Sequence, residues 1–199
     1  MEPERHELMP TDAPLSQAQV EAAFVGGMPK LTSKLQVVDY NPEWPQWYER
    51  EAARLRALLG ERVRALDHVG STSVPGLAAK PTIDVDLTLD DSADEAAYVP
   101  VLEAAGYRLT IREPEWHEHR LFKGPDTDIN LHVWTVGSPE AQRHLIFRDW
   151  LRANETDRGA YGEHKKAVAE REYEYAFQYN NGKAALLREI LARALAASV

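Results

Sequence analysis

The stretch from Gly70 to Leu89 constrains the fold more than any other part of the chain. Its second half, Ile83–Leu89, alternates strictly between apolar and polar residues. Successive side chains of a β-strand point to opposite faces, so this pattern predicts a strand with Asp84 and Asp86 together on one face. The opposite, apolar face must be covered by another layer, and the chain is therefore expected to fold around a β-sheet.

The turn before this strand is made of small residues, Gly70, Ser71, Thr72 and Ser73. Turns of this kind expose backbone N–H groups that bind phosphate oxygens. The two aspartates after it would repel each other unless a hard cation such as Mg²⁺ lay between them. Together the two features predict a nucleotide site with Mg²⁺ on the aspartates. The alternative is an ordinary loop followed by two solvated acids.

Composition excludes several classes of function. The formal net charge of −9 argues against binding to the nucleic-acid backbone, which needs a basic surface. There are no cysteines, which excludes disulfides, thiolate nucleophiles and Cys-based zinc sites. No apolar run has the length of a membrane span or of a signal peptide, so no membrane partner and a cytoplasmic location are expected.

The 199 residues favour one domain. Alternating helical and strand patterns predict an α/β (α+β) fold, with a mixed sheet flanked by helices and a helical layer at the C-terminus. Residues 1–34 are interpreted as a flexible N-terminal tail with a short helix at 15–25, and residues 35–199 as the domain. The patterns predict helices at 42–59, 92–105, 139–154, 157–176 and 183–197, and strands at 63–69, 83–89, 107–112, 116–122 and 128–134.

The strand predicted at 128–134 carries Asp128, Asn130 and His132 on one face. Two-residue steps along a strand cover about 6–7 Å, so only one end of this row can meet Asp84 and Asp86. Asp128 lies close to the turn, and the spacing alone leaves the choice between the two ends open.

Histidines allow a different interpretation. His117 and His119 would share a strand face and, with His132 and His68, would form a transition-metal site. The alternative is that they are surface or hydrogen-bonded residues.

Four segments of the chain resemble the GrpB-like family of the nucleotidyltransferase-fold superfamily. They are Val38–Pro45, His68–Gly76, Lys80–Asp86 and Asn130–Val133, and the resemblance extends over roughly residues 35–195. It implies the nucleotidyltransferase-type sheet and metal-binding aspartates at 84 and 86. In the wider superfamily a third carboxylate often occupies the neighbouring strand, where this chain has Asn130 and His132. The resemblance therefore favours His132 or Asn130 over Asp128 as the partner of the two aspartates. Some family members are fused to a dephospho-coenzyme A kinase.

The resemblance also includes the Arg148–Arg152 run, the Tyr161–Lys165 pair and Lys183. These residues, with Lys80, are candidates for lining a nucleotide cleft; the alternative is that they are solvated helix charges.

Three functional hypotheses follow from these residues. The first is an enzyme that uses Mg²⁺ to transfer a nucleotidyl or phosphoryl group, with Asp84, Asp86 and His132 as catalytic residues. The second is a nucleotide-binding accessory module with little or no catalysis, linked to coenzyme A metabolism through the fusion proteins. The third, less favoured, is a hydrolase that uses the histidines.

Overall fold

The computed structural model describes residues 7–9 and 14–197. Its α-helices are α1 Gln17–Ala23, α2 Trp44–Leu59, α3 Val99–Ala104, α4 Pro139–Ala153, α5 Glu155–Ala169 and α6 Ala176–Ala197. Its strands are β1 Ala65–Val69, β2 Ile83–Leu89, β3 Arg108–Glu113, β4 His119–Lys123 and β5 Ile129–Thr135. None of these helices is both long enough and apolar enough to cross a lipid bilayer.

The five strands form one mixed sheet in the order β1-β2-β5-β4-β3. Strand β2 pairs antiparallel with β1 and parallel with β5, while β4 pairs antiparallel with both β5 and β3. The parallel register aligns Asp84 with Asn130 and Asp86 with His132. The sheet therefore brings the two polar rows of the sequence side by side.

The apolar face of the sheet carries the main core. Ile83, Val85 and Leu87 of β2 are fully buried, as are the alternate residues Ile129, Leu131 and Val133 of β5. They form one cluster with buried side chains of α2 and α3, including Trp44, Leu55 and Leu102. The alternation in the sequence thus predicted the buried face of β2 correctly.

The C-terminal helices form the layer beside the polar face. Leu151 of α4, Tyr161 of α5 and Ile190 of α6 pack in a second cluster with Val74 and Leu77 from the segment after β1. The prediction of a mixed sheet flanked by helices, with a helical layer at the C-terminus, is confirmed.

Several local predictions are wrong. The helix predicted at 92–105 begins only at Val99, and the one predicted at 157–176 ends at Ala169. The expected break at 180–182 is absent, and α6 runs through it. A Cβ on Gly182 would lie 2.8 Å from the Val168 side chain, so close packing of α5 on α6 explains a glycine inside a helix. The strand predicted at 116–122 begins only at His119, because His117 and Glu118 have φ values of 53° and 51° in a turn.

The N-terminal segment contacts the C-terminal helices where it is described. Leu8 is buried against Leu191 and Leu195, and the Arg143 guanidinium donates hydrogen bonds to the carbonyl oxygens of Glu7 and Leu8. The predicted short helix is present as α1, with Ser16 as its N-cap. Residues 1–6 and 10–13 lie outside the described residues, so the flexible-tail interpretation stays a prediction.

Candidate functional site

The glycine of the small-residue turn lies against the first aspartate. Gly70 has a φ of 66°, in the region that favours glycine, and a Cβ there would lie 2.3 Å from the Asp84 Oδ2 atom. No other residue fits without displacing the carboxylate. The turn and the acidic strand are therefore in direct contact.

The hydroxyl groups of this turn point mostly inward. Ser73 Oγ donates to the Gly70 carbonyl at 2.6 Å, and Thr72 Oγ1 lies 3.0 Å from His68 Nε2. Thr72 and Ser73 are buried, whereas Ser71 is partly exposed. Within the described part of the chain, only the hydroxyl of Ser71 among these three makes no hydrogen bond.

Asp84 is held from β5 and lies in a positive environment. Asn130 Nδ2 donates to Asp84 Oδ1 at 2.7 Å, and His132 Nε2 lies 3.8 Å from the same oxygen. Burial acts to raise the pKa of Asp84, but His132, Asn130 and the Lys80 charge outweigh it and hold the pKa at about 2. Asp84 therefore remains a carboxylate.

Asp86 is enclosed, in contrast to its neighbour. Its side chain is 2% exposed, and Trp134 Nε1 donates to Oδ1 at 3.0 Å. His144 Nδ1, from α4, lies 2.9 Å from Oδ2. Burial lowers the pKa of His144, but the charge and hydrogen bond of Asp86 prevail and raise it. Both oxygens of Asp86 therefore already have partners.

Three lysines converge beside Asp84. Lys80 and Lys183 place their ammonium groups 5.5 and 4.7 Å from the centre of the Tyr179 ring, and Lys165 lies 4.9 Å from that of Tyr161. Lys165 is 2% exposed and donates a hydrogen bond to the Ala78 carbonyl. We call Lys80, Lys165 and Lys183 the lysine cluster. None of the three forms an ion pair with a carboxylate among the described residues.

The pKa values of the lysine cluster reflect this crowding. Burial and the neighbouring Lys183 lower the pKa of Lys165 to about 6, despite the charge of Asp84. Burial and Lys80 lower the pKa of Lys183 to about 8, and burial also lowers that of Lys80. A bound anion would raise these pKa values and favour the protonated lysines, so a cluster without a carboxylate ion pair is suited to binding an anion.

The two candidate arginines are engaged with the turn and its neighbours. Arg152 donates through Nε and Nη2 to the Ser73 carbonyl, and Arg148 donates through Nη1 to the His68 carbonyl. Both also pair with Asp149. The two arginines join α4 to the turn. Lys165 of the lysine cluster and Tyr161, whose ring it contacts, lie on α5 instead.

Other candidates are dispersed. Asp128 is 61% exposed and pairs with Thr82 and Lys123, away from Asp84. His117 lies in a turn, so the strand face that it was predicted to share with His119 does not exist. His119 does lie beside His132, whereas His68 stacks on Tyr48. Within residues 7–9 and 14–197 no three His, Asp or Glu side chains are placed to hold one metal ion, which removes the histidine metal cluster.

A cavity of about 500 Å³ adjoins the turn at Ser73. It shares His68, Ser73 and Arg152 with the surroundings of the turn. Its lining residues are Tyr40, Pro45, Tyr48, Glu49, His68, Ser73, Pro75, Arg152 and Arg158.

Sequence reasoning missed His144 and Trp134. His144 is four residues before Arg148 and eight before Arg152, and this helical spacing would have placed it on the same face of α4. Trp134 follows His132 in the alternating row of β5, but a tryptophan in a strand is usually a core residue.

Comparison with known proteins is consistent with this fold. The family model described as GrpB protein matches residues 34–193. The chain belongs to the GrpB family. It is 48% identical to a UPF0157 protein of Halalkalibacterium halodurans over 91% of this chain and 93% of that protein.

A crystal structure of GrpB from Enterococcus faecalis has a TM-score of 0.73 and 32% identity, over 82% of this chain and 99% of that one. A dephospho-CoA kinase of Mycolicibacterium paratuberculosis is 31% identical over 69% of this chain but only 40% of its own length. The family domain therefore also occurs within a larger protein of that name.

Proposed function

We propose that this GrpB-family protein binds a nucleoside triphosphate with Mg²⁺ between the Gly70 turn, Asp84 and the lysine cluster, and transfers a nucleotidyl or phosphoryl group from it. The observation that carries the proposal is the lysine cluster. Three lysine side chains meet around two tyrosine rings, and among the described residues no ion pair with a carboxylate offsets their charge. A polyphosphate supplies the missing negative charge.

The position of the glycine turn supports the same ligand. Gly70 brings the backbone close to Asp84, and Ser71 is the exposed hydroxyl of the turn. Backbone N–H groups of such turns bind phosphate oxygens. A phosphate chain lying between the turn and Lys80 would contact backbone on one side and ammonium groups on the other.

The donor set suits one Mg²⁺ that arrives with the nucleotide. Asp84 Oδ1 accepts one hydrogen bond, and Asp84 is ionised at neutral pH, so the carboxylate retains acceptor capacity. Mg²⁺ is commonly held by one or two carboxylates together with substrate phosphates. Asp84 would hold it, and Asp86 would join after releasing His144. Bound there, Mg²⁺ would neutralise the charge that develops on the phosphates.

His132 is the protein group best placed to accept a proton in the proposed reaction. Its Nε2 lies 3.8 Å from Asp84 Oδ1, the carboxylate that also adjoins the glycine turn. Imidazole accepts protons near neutral pH, so His132 would take the proton of an acceptor group. The cavity beside Tyr40 and Tyr48 would hold the remainder of the nucleotide or the acceptor.

A nucleotide-binding accessory module is the second candidate. Both oxygens of Asp86 are bound by Trp134 and His144, which leaves one free carboxylate where a two-metal mechanism needs two. The fusion of related sequences to proteins named dephospho-CoA kinase supports a role linked to coenzyme A metabolism.

Thermal unfolding in the presence of nucleotides tests the proposal. Mg·ATP at 100 times its dissociation constant is expected to add about 2.7 kcal/mol of stability, and ATP without Mg²⁺ clearly less. Lys183→Met should remove most of the shift, whereas Lys123→Met, at an exposed lysine of β4, should retain it. Absence of a shift with each of the common nucleoside triphosphates would refute the proposal. Turnover in a panel of acceptors then separates the enzyme from the accessory module.

A further inference from the structure

A row of side chains joined by two hydrogen-bond contacts crosses the polar face of the sheet and ends beside Asp84. Glu113 Oε2 on β3 lies 2.6 Å from His119 Nδ1 on β4. His119 Nε2 lies 3.0 Å from His132 Nδ1 on β5, and His132 Nε2 lies 3.8 Å from Asp84 Oδ1 on β2. Neither Glu113 nor His119 has a role in the function proposed above.

The carboxylate at the far end determines the protonation of the first ring. An ionised carboxylate only accepts hydrogen bonds, so the hydrogen in the Glu113–His119 contact belongs to His119 Nδ1. Burial lowers the pKa of His119 to about 4, even though Glu113 acts to raise it. The ring is therefore neutral at neutral pH and has a single N–H. Its Nε2 atom carries a lone pair.

The same reasoning extends to the second ring. The lone pair of His119 Nε2 can only accept, so His132 Nδ1 must donate in the 3.0 Å contact. In a neutral His132 the Nε2 atom then has a lone pair as well. It faces Asp84 Oδ1 across 3.8 Å, which is longer than a hydrogen bond. Two acceptors at this separation are complementary to a proton donor or a cation between them.

Packing holds this chain in place. His119 is 3% exposed, and its ring stacks on Trp134 with 4.3 Å between ring centres. The His119 and His132 rings are nearly parallel, at an interplanar angle of 21°. Because the Trp134 indole also donates to Asp86, the same side chain supports both the histidine chain and the second aspartate.

We propose that Glu113 and His119 are positioning residues that hold His132 with Nδ1 protonated and direct its Nε2 lone pair into the space beside Asp84. The use of that lone pair, as acceptor of a proton or as a metal ligand, rests on the proposed function. The orientation itself rests on the two hydrogen-bond contacts and on the burial that keeps His119 neutral. Carboxylate–histidine pairs select the tautomer of catalytic and metal-binding histidines in the same way.

Nitrogen-15 NMR of the histidine rings tests this without any ligand. In the full-length protein near pH 8, the His132 signals, identified by their loss in His132→Gln, are expected to report hydrogen on Nδ1 and none on Nε2. In Glu113→Gln the side-chain amide is able to donate to His119 Nδ1, so the tautomer selection should be lost and hydrogen on His132 Nε2 should appear. Glu115→Gln, the same charge change at an exposed residue of the neighbouring turn, should leave the spectrum unchanged.

The wild-type spectrum decides the matter even if Glu113→Gln fails to fold. Hydrogen on His132 Nε2 in the wild type would overturn the proposal, and so would an unchanged tautomer in a folded Glu113→Gln protein. A second readout is the affinity for Mg·ATP, measured from the stabilisation that it produces. The affinity should fall about 10-fold in Glu113→Gln and stay unchanged in Glu115→Gln. If Mg·ATP stabilises no variant but the tautomers are as expected, the proposed function fails and the positioning role stands.

Discussion

Asp84 and Asp86 are two residues apart on the same face of one strand, yet their surroundings are opposite in kind. Asp84 has one hydrogen-bond donor, a histidine at 3.8 Å and the lysine cluster around it. Asp86 is almost fully buried between an indole N–H and a histidine from α4. Asp86 thus fastens α4 to the sheet, whereas Asp84 keeps acceptor capacity for the ligand site proposed above.

Removal of the Asp86 carboxylate should produce the largest loss of stability. Asp86→Ala leaves Trp134 Nε1 and His144 without their acceptor inside the protein, and breaking a buried pair costs about 3 kcal/mol or more. A fall in Tm of roughly 6–12 °C is expected for a chain of this size. Asp90→Ala, which breaks an exposed ion pair with Arg64, should lower Tm far less. Equal losses in the two variants would contradict the structural role of Asp86.

Neutralisation of Asp84 should instead affect ligand binding. Asp84→Asn keeps an oxygen for the Asn130 amide but removes the charge that would hold Mg²⁺. Most of the stabilisation by Mg·ATP, about 2.7 kcal/mol at 100 times the dissociation constant, should disappear. The variant should unfold at a higher temperature than Asp86→Ala. Asp128→Asn, at an exposed carboxylate near the same sheet, is the matched control and should bind normally.

This contrast also separates what the sequence could predict from what it could not. Alternation in β2 was sufficient to place both aspartates on one face, because side-chain direction in a strand follows from backbone geometry alone. The contact with Gly70 followed from chain proximity in the same way. The partners of each aspartate were harder to predict, because His144 comes from a helix far along the chain and its distance depends on how α4 packs on the sheet.

Secondary structure could also be predicted in part. Periodicity identified the strands and the longer helices, but the apparent break at 180–182 was wrong because packing of Gly182 against Val168 overrides local propensity. The lysine cluster was predictable only in part. Lys80, Lys165 and Lys183 were all candidates, but their meeting around the tyrosine rings depends on the packing of α5 against α6.

Lys165 of the lysine cluster, near Asp84, should make the free energy of unfolding depend on pH. The pKa of Lys165 is about 6 in the folded protein and 10.5 in the unfolded reference, so between these values the unfolded chain binds more protons. The free energy of unfolding should therefore rise with pH, by about 1 kcal/mol between roughly pH 6.5 and 7.5. In Lys165→Met, the free energy of unfolding measured with urea should not show this increase with pH. An identical slope in the variant and the wild type would show that Lys165 is not the group responsible.

The Asp86 end should respond to pH in the opposite direction, with a smaller effect. The pKa of His144 is raised above its reference of 6.5, so the His144–Asp86 ion pair stabilises the fold fully below pH 6.5 and is lost as pH rises through the raised pKa. His144→Asn keeps a neutral donor for Asp86, and the wild type should exceed it in stability by about 1 kcal/mol more at pH 5.5 than at pH 9. His164→Asn, on α5, is the control because His164 contacts a backbone carbonyl and no carboxylate. A pH-independent difference for His144→Asn would mean that the pair is held by packing and neutral hydrogen bonding, and the electrostatic distinction between the two ends of the strand face would then rest on the lysine cluster alone.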